Sequence, residues 1–280
     1  MSKILRKRKL TPDSTEFIVD APVIAKKARA GNFVIVRIHD RGERVPLTIA
    51  DSDPKAGTIT LIFQEVGKST IELATFNEGD EIHDLVGPLG KVMEVGNVGE
   101  VLCVGGGLGI APLYPKVKHL KEEGNTITII LGARSKNLLI LEDEMKKMTD
   151  RVYITTDDGT YGMKGFVSDQ MKVLFDNGYR PDLVIAVGPC IMMKVVCALT
   201  KNYNLRTLIS ADTIMVDGTG MCGSCRLTVG GKSMFACVDG PMFDGHLVDF
   251  DEYMVRQRRF NEEEKCALER YLKERGITTR

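Results

Sequence analysis

The spacing of hydrophobic runs changes near Glu100, and each spacing allows one kind of sheet. Upstream, the β-rich runs Glu16–Val19, Phe33–Ile38, Val45–Ile49 and Thr58–Phe63 follow one another closely. Turn residues such as Asp40-Arg41-Gly42 and Asp53-Pro54-Lys55-Ala56-Gly57 separate them. Runs so close together predict an antiparallel barrel. Downstream, the apolar runs Val101–Val104, Thr126–Leu131, Val152–Thr155 and Leu183–Val187 alternate with helix-like segments, among them Leu141–Met148 and Phe166–Asp176. That alternation predicts a parallel sheet wrapped by helices. A chain of 280 residues is long enough for both, each with its own core.

Composition removes several functional classes. The 38 basic residues balance 38 acidic ones, so no bulk attraction to nucleic acid or anionic lipid is expected. The longest apolar stretch, Leu183–Met193, is too short to span a bilayer and holds Gly188 and Pro189, so it reads as a buried strand. The basic residues of Met1–Leu10 precede no apolar stretch, which excludes a secretory signal and predicts a cytoplasmic protein. After Asp212 comes a Cys/Gly-rich insert. Beyond it Tyr253, Phe260, Ala267, Leu268, Tyr271 and Leu272 recur at helical steps, predicting a helix that packs on its own chain or docks onto a partner subunit.

Three of the seven cysteines fall between Cys222 and Cys237, which in a reducing compartment favours metal or redox chemistry over disulfides. The segment Asp217-Gly218-Thr219-Gly220-Met221-Cys222-Gly223-Ser224-Cys225, with Cys237 beyond it, has the spacing of a [2Fe-2S] loop of the C-x4-C-x2-C…C type, with Asp217 in the first cysteine's place. A carboxylate binds ferric iron, so Asp217, Cys222, Cys225 and Cys237 form a candidate cluster ligand set. Zinc held by the three cysteines with Asp217 or His246 is the rival reading. A second motif, Val101 to Pro112, runs from a strand through Gly105, Gly106, Gly107 and Gly109 into a helix, so backbone amides and the helix start can approach a pyrophosphate. A third, Arg44-Val45-Pro46-Leu47-Thr48, offers a guanidinium for a flavin phosphate and a hydroxyl for the edge of the isoalloxazine ring.

In this order the three motifs resemble the ferredoxin–NADP reductase superfamily, where a flavin-binding barrel precedes a nicotinamide-binding α/β domain. The appended cysteine loop is similar to that of dihydroorotate dehydrogenase electron-transfer subunits. The chain resembles still more closely the small-subunit family of NADH-dependent ferredoxin:NADP oxidoreductases, also called ferredoxin–NADP reductase or sulfide dehydrogenase subunits. Members of that family carry the Asp-for-Cys loop, the stretch Phe235 to His246 and the charged C-terminal helix.

The resemblance implies four segments: an FAD-binding barrel at 1–96, an NAD(H)-binding α/β domain at 97–211, a [2Fe-2S] domain at 212–250 and a C-terminal helix at 251–280. It implies flavin contacts from Arg44, Pro46, Leu47, Thr48, Ile62, Phe63, Gly67, Ser69 and Thr70. It implies NAD(H) contacts from Gly105, Gly106, Gly107, Gly109, Ala111 and Pro112, from Gly132, Ala133 and Arg134, from Asp157, Asp158 and Gly159, and from Gly188, Pro189 and Cys190. Arg134 suits a 2′-phosphate, yet the family uses NAD(H). The implied activity is electron transfer from NAD(H) through FAD and the cluster to a larger flavin/iron–sulfur subunit in a heterodimer, with ferredoxin reached through that partner and electron bifurcation there. No catalytic acid, base or nucleophile is required. Electron transfer for dihydroorotate oxidation, or for sulfide or polysulfide reduction, is the alternative, and a zinc-stabilised interaction module is the non-enzymatic one.

Overall fold

The computed structural model describes residues 2–276. The outer ends of the first and last expected segments, Met1 and residues 277–280, lie outside the described residues. Seven strands, β1 (Ser2–Thr11), β2 (Ser14–Asp20), β3 (Phe33–Arg37), β4 (Val45–Asp53), β5 (Thr58–Gln64), β6 (Glu81–Ile82) and β7 (Asp84–Leu89), form one sheet among the described residues, in the order β6-β1-β2-β5-β4-β3-β7. All its pairings are antiparallel, and it curls into the expected, nearly closed barrel. Alternate side chains turn inward: Phe17, Val19, Val34, Val36, Leu47, Leu61 and Phe63 share one core, where Phe17 meets Phe63 edge to face at 5.1 Å. The short helices α1 (Pro22–Ala25) and α2 (Lys68–Leu73) add Ile24 and Leu73 to that core. The basic N-terminal run is strand β1, and Arg8 sits opposite Glu16 and pairs with it at 2.9 Å.

The second half forms the expected parallel sheet. Its strands are β8 (Glu100–Gly106), β9 (Thr126–Ala133), β10 (Val152–Thr156), β11 (Met163–Lys164), β12 (Leu183–Val187) and β13 (Thr207–Ser210), followed after the hairpin β14 (Arg226–Val229) and β15 (Lys232–Phe235) by β16 (Met242–Asp244). The order is β11-β10-β9-β8-β12-β13-β16, parallel except at β16. Helices α3 (Ile110–Glu122), α4 (Glu142–Lys146), α5 (Val167–Asp176) and α6 (Cys190–Asn202) connect the strands. Helix α3 covers Val101, Cys103, Ile129 and Ile185 on one face, while α5 and α6 cover Leu102, Val104, Ile130 and Val184 on the other. Burial on both faces explains why these strands read as continuous apolar runs. Strand order reverses between β8 and β12, the point where doubly wound sheets open a crevice at the strand C-termini.

Two expectations change. The apolar run Leu183–Met193 is a strand only to Val187; Gly188 and Pro189 turn the chain and Cys190 begins α6. The C-terminal face expected from Tyr253 to Leu272 as one helix is two helices, α7 (Phe250–Gln257) and α8 (Asn261–Glu274), with Phe260 40% exposed at their junction. The break has its cause in two different surfaces. Phe250 and Tyr253 bury against the cysteine-bearing segment, whereas α8 crosses to α2 of the barrel and buries Tyr271 and Leu272. Both helices therefore pack on their own chain.

The segment after Asp212 packs on the parallel sheet: β16 is its edge strand, and Leu227, Ala236 and Phe243 join its core. Lys118 of α3 and Asp51 of β4 tie the two halves at 2.6 Å. Among the described residues no helix is long and apolar enough to cross a membrane.

Helix α3 lies so close to the start of α6 that a Cβ on Gly109 would come within 2.5 Å of Gly188 Cα and Val187 O. Backbone cannot yield as a flexible side chain does, so Gly109→Ala is expected to lower stability by about 1–3 kcal/mol, read as a lower urea midpoint with an unchanged slope. An unshifted midpoint would show that the two turns can part without cost.

Candidate functional site

The C-terminal ends of β8, β9, β10 and β12 lie in register, with Gly106 opposite Gly132, Thr155 opposite Gly132, and Val187 opposite Gly105. Gly105, Gly106, Gly132, Ala133, Arg134, Asp157, Asp158, Gly159, Gly188 and Pro189 therefore share one edge of the sheet, at the point where strand order reverses. Gly107 turns the chain at φ +55°, and Gly109, Ala111 and Pro112 open α3, where no side chain caps the first amides. Uncapped amides at a helix start attract anions. Ala111 is 1% exposed, so its methyl group belongs to the core. The loops after β9 and β10 are linked by Asp157 N–H donating to Ala133 O (3.1 Å) and Asp158 N–H donating to Arg134 O (3.2 Å). Arg134 is exposed. Backbone and side-chain donation from Thr160 holds the Asp158 carboxyl below its usual range. Cys190 stands apart from the open edge: it is buried in the core, and burial, then the charge of Asp212, pushes its thiol up to about 12.

On the barrel, Arg44, Pro46, Leu47 and Thr48 lie at the start of β4, Ile62 and Phe63 on neighbouring β5, and Gly67, Ser69 and Thr70 at the start of α2. Ser69 Oγ donates to the Glu43 carboxylate, which draws the start of α2 towards Arg44. Thr70 Oγ1 accepts from Gly67 N–H at 3.2 Å and fixes that turn. The Leu47 and Phe63 side chains point into the barrel core, and Ile62 packs with the α3 cluster, which leaves Arg44, Pro46 and Thr48 half-buried at the surface. Arg44 is already engaged. Its Nε donates to Val216 O at 2.7 Å and its Nη2 to Asp217 O at 3.3 Å.

Arg44 thus holds the barrel against the cysteine-bearing loop. The loop turns at Gly218 (φ +77°), where a Cβ would press on Ile35 and Leu89 of the barrel at 3.0 Å. Asp217 organises the next turn of the loop: its carboxylate accepts from Thr219 N–H (3.0 Å), Met221 N–H (2.9 Å), Cys222 N–H (3.0 Å) and the Cys222 thiol (3.4 Å). Burial opposes ionisation, but the bonds from Thr219, Cys222 and Met221 outweigh it and hold the carboxyl at about 2. For Cys222 burial and the Asp217 carboxylate oppose ionisation, and hydrogen bonds from Ser224 and from the backbone of Asp217 outweigh them, lowering an exposed thiol. Cys225 precedes β14 and Cys237 follows β15, and the hairpin pairs Arg226 with Phe235, so the fold returns Cys237 to Cys225 with sulfurs 3.2 Å apart. Burial, then the hydrogen bond and charge of Cys225, pushes the Cys237 thiol up.

The predicted donors therefore stand as two pairs, Asp217 with Cys222 and Cys225 with Cys237. Among the described residues no three His, Cys, Asp or Glu side chains converge on one point, as a mononuclear site requires. His246 is held elsewhere, its Nε2 3.0 Å from Thr200 Oγ1.

The motifs do not reveal the part played by α7. Glu252 Oε2 accepts from Thr228 N–H (3.0 Å), the Tyr253 hydroxyl donates to the Asp212 carboxylate, Arg256 Nη2 donates to Ser224 O (3.2 Å) and Gln257 Nε2 donates to Asp212 Oδ1 (2.9 Å). Positions 252, 253, 256 and 257 lie on one helical face, a pattern legible in the sequence only once the helix boundary is known.

Residues 212–249 match the iron-sulfur cluster binding domain of dihydroorotate dehydrogenase B, and residues 103–198 match the oxidoreductase NAD-binding domain. A dihydroorotate dehydrogenase B (NAD(+)) electron transfer subunit homolog from Thermotoga maritima is 49% identical over 276 residues, covering 99% of this chain and 97% of its own. The dihydroorotate dehydrogenase B electron transfer subunit of Shouchella clausii is 33% identical over 251 residues, covering 86% of this chain and 94% of its own. A chain from the solved structure of an NADH-dependent reduced ferredoxin-NADP oxidoreductase superposes with a TM-score of 0.92 at 48% identity, covering 97% of this chain and 98% of that one. With likeness of this extent over both halves and the cysteine loop, the chain belongs to the family of dihydroorotate dehydrogenase B electron-transfer subunits, oxidoreductase subunits with an NAD-binding domain and an iron–sulfur cluster-binding domain.

Proposed function

We propose that this chain is the electron-transferring flavoprotein subunit of an electron-bifurcating NADH-dependent ferredoxin:NADP oxidoreductase. It takes NAD(H), FAD and a [2Fe-2S] cluster, and it works with a larger partner subunit. The partner carries further flavin and iron–sulfur centres, forms a heterodimer with this chain in the cytoplasm and is the subunit that meets ferredoxin. The observation that carries the reading is the pair of hydrogen bonds that Arg44 donates to Val216 O and Asp217 O, because it joins the flavin-side edge of the barrel to the loop that bears the cluster donors. Electron transfer for dihydroorotate oxidation is the second reading, favoured by the 49% and 33% identical relatives; the 48% identical chain of the bifurcating enzyme's solved structure and Asp217 in the ligand loop favour the first.

The motif residues divide among three ligands. The first amides of α3 and the glycine turns at Gly105–Gly107, Gly132 and Gly188 receive the nicotinamide dinucleotide, with Ala133, Arg134, Asp157, Asp158, Gly159 and Pro189 around it and Cys190 packed in the core beneath the turn. Arg44, Thr48, Gly67, Ser69 and Thr70 hold the flavin phosphates and ring edge, and Pro46, Leu47, Ile62 and Phe63 serve through backbone and packing. Asp217 with Cys222, and Cys225 with Cys237, each bind one iron. Three sulfurs and one carboxylate fit a ferric pair, and two pairs of donors fit two irons better than one zinc. The units are residues 1–96, 97–211, 212–250 and 251–280.

When bound, NAD(H) supplies a hydride, the flavin splits an electron pair and the cluster carries single electrons. The protein positions these groups and excludes water.

Anaerobically purified protein is expected to show flavin absorption with a broad red shoulder, together with iron and acid-labile sulfide in equal amounts. A colourless protein carrying zinc would overturn the reading. Asp217→Cys is expected to keep the iron but change its electron paramagnetic resonance signal and midpoint potential, since an iron ligand has been exchanged. If Asp217 only caps the loop, iron falls and the signal of what remains is unaltered. Arg44→Ala removes two charge-assisted bonds and a phosphate partner. At about 1.5–3 kcal/mol for such a bond, FAD affinity is expected to fall about 10–100-fold, measured by flavin release on dilution.

A further inference from the structure

Arg44 meets the cluster loop at residues 216 and 217, whereas helix α7 presents Arg256 to it at Ser224. Its Nη2 donates to the carbonyl of Ser224, the residue between Cys222 and Cys225, at 3.2 Å. The rest of the guanidinium is poorly matched. Its Nε is buried without a hydrogen-bond partner, and among the described residues it makes no carboxylate ion pair within 4.0 Å. Burial is the largest influence against its charge, followed by Arg226; Glu252 favours the charge, Arg259 opposes it and Cys225 favours it, so the two cations beside it offset the nearby carboxylate. The gap beside it, lined by Thr213, Ser224, Tyr253 and Gln257, has a volume of about 10 Å³, room for one water and no larger ligand.

A half-buried cation with no anionic partner costs free energy unless negative charge lies close by. Cys225 is 1% exposed, and its charge acts on Arg256. A centre bound by three thiolates and a carboxylate supplies the missing negative charge, and gains more of it on reduction. We propose that Arg256 is a positioning residue of the iron–sulfur loop: it holds the Ser224 carbonyl and places a positive charge beside Cys225, raising the potential at which the cluster accepts an electron. The proposal rests on the [2Fe-2S] reading of Asp217, Cys222, Cys225 and Cys237.

Two variants separate charge from support. Gln at this position can donate to the carbonyl but carries no charge, whereas Lys keeps the charge. The full chain, reconstituted with iron, sulfide and FAD, is titrated electrochemically while the cluster and flavin bands are followed separately. Arg256→Gln is expected to keep its iron and shift the cluster midpoint to lower potential while the flavin midpoint stays in place; Arg256→Lys is expected to stay near the parent. Iron lost from Gln but retained by Lys at the parent potential also supports the role of charge. A cluster midpoint unchanged in Arg256→Gln, equal shifts in both variants, or iron lost from both would overturn it. Parent protein that takes up no iron and labile sulfide would instead end the cluster reading, before any variant is compared.

Discussion

The bond from Arg44 to the carbonyls of residues 216 and 217 is the contact through which barrel and cysteine loop become one site. Without it, the two would meet here through Gly218 lying on Ile35 and Leu89, an apolar contact without direction. A guanidinium has five N–H donors in a fixed fork, and two are used on the loop, so the same side chain retains donors for an anion. One residue therefore sets where the loop sits and keeps the capacity to bind a phosphate.

The loop itself is built by local rules. Asp217 gathers three backbone amides and a thiol, an arrangement that a cysteine at this position could not reproduce, because a thiolate sulfur is a weaker and larger acceptor. Downstream, Gly230 and Gly231 both take positive φ, the requirement of a tight two-residue turn whose twist matches the flanking strands. That turn converts a long separation in sequence between Cys225 and Cys237 into contact between their sulfurs. Helix α7 then supports the back of the segment through Glu252, Tyr253, Arg256 and Gln257.

Much of this was legible because the signals were periodic or punctuated. The change near Glu100 marks the passage from barrel to parallel sheet, since strands joined by short turns pair antiparallel whereas parallel strands need a crossover long enough for a helix. The glycine-rich turn after Val104 and the spacing of Asp217, Cys222 and Cys225 are equally local. What stayed hidden depends on which surface a residue meets. The charges of β1 look like a solvated tail until Glu16 and Glu65 are seen across the sheet from Arg8 and Lys9. Leu47 and Phe63 sit in a motif read for flavin, yet strand alternation sends their side chains inward. The C-terminal apolar steps run on in sequence, but Tyr253 and Tyr271 serve different partners, so the helix breaks between them.

Burial sets the titration of three groups in the interior. Burial pushes the thiol of Cys103 up to about 12; burial, then Asp244, does the same to Cys197, and burial brings the ammonium of Lys116 down to about 8. Burial favours the neutral form of each, as a core demands. Cys225 and Cys237 differ in kind. Their sulfurs share one hydrogen bond, and two thiolates at that separation repel unless positive charge intervenes. Iron held there, as in the proposed site, would supply that charge in place of the protons. Burial first, and then the contact with Cys225, raises the Cys237 thiol in the free chain; in the proposed site a cluster would relieve both costs, and a cation beside Cys225 would act in the same direction.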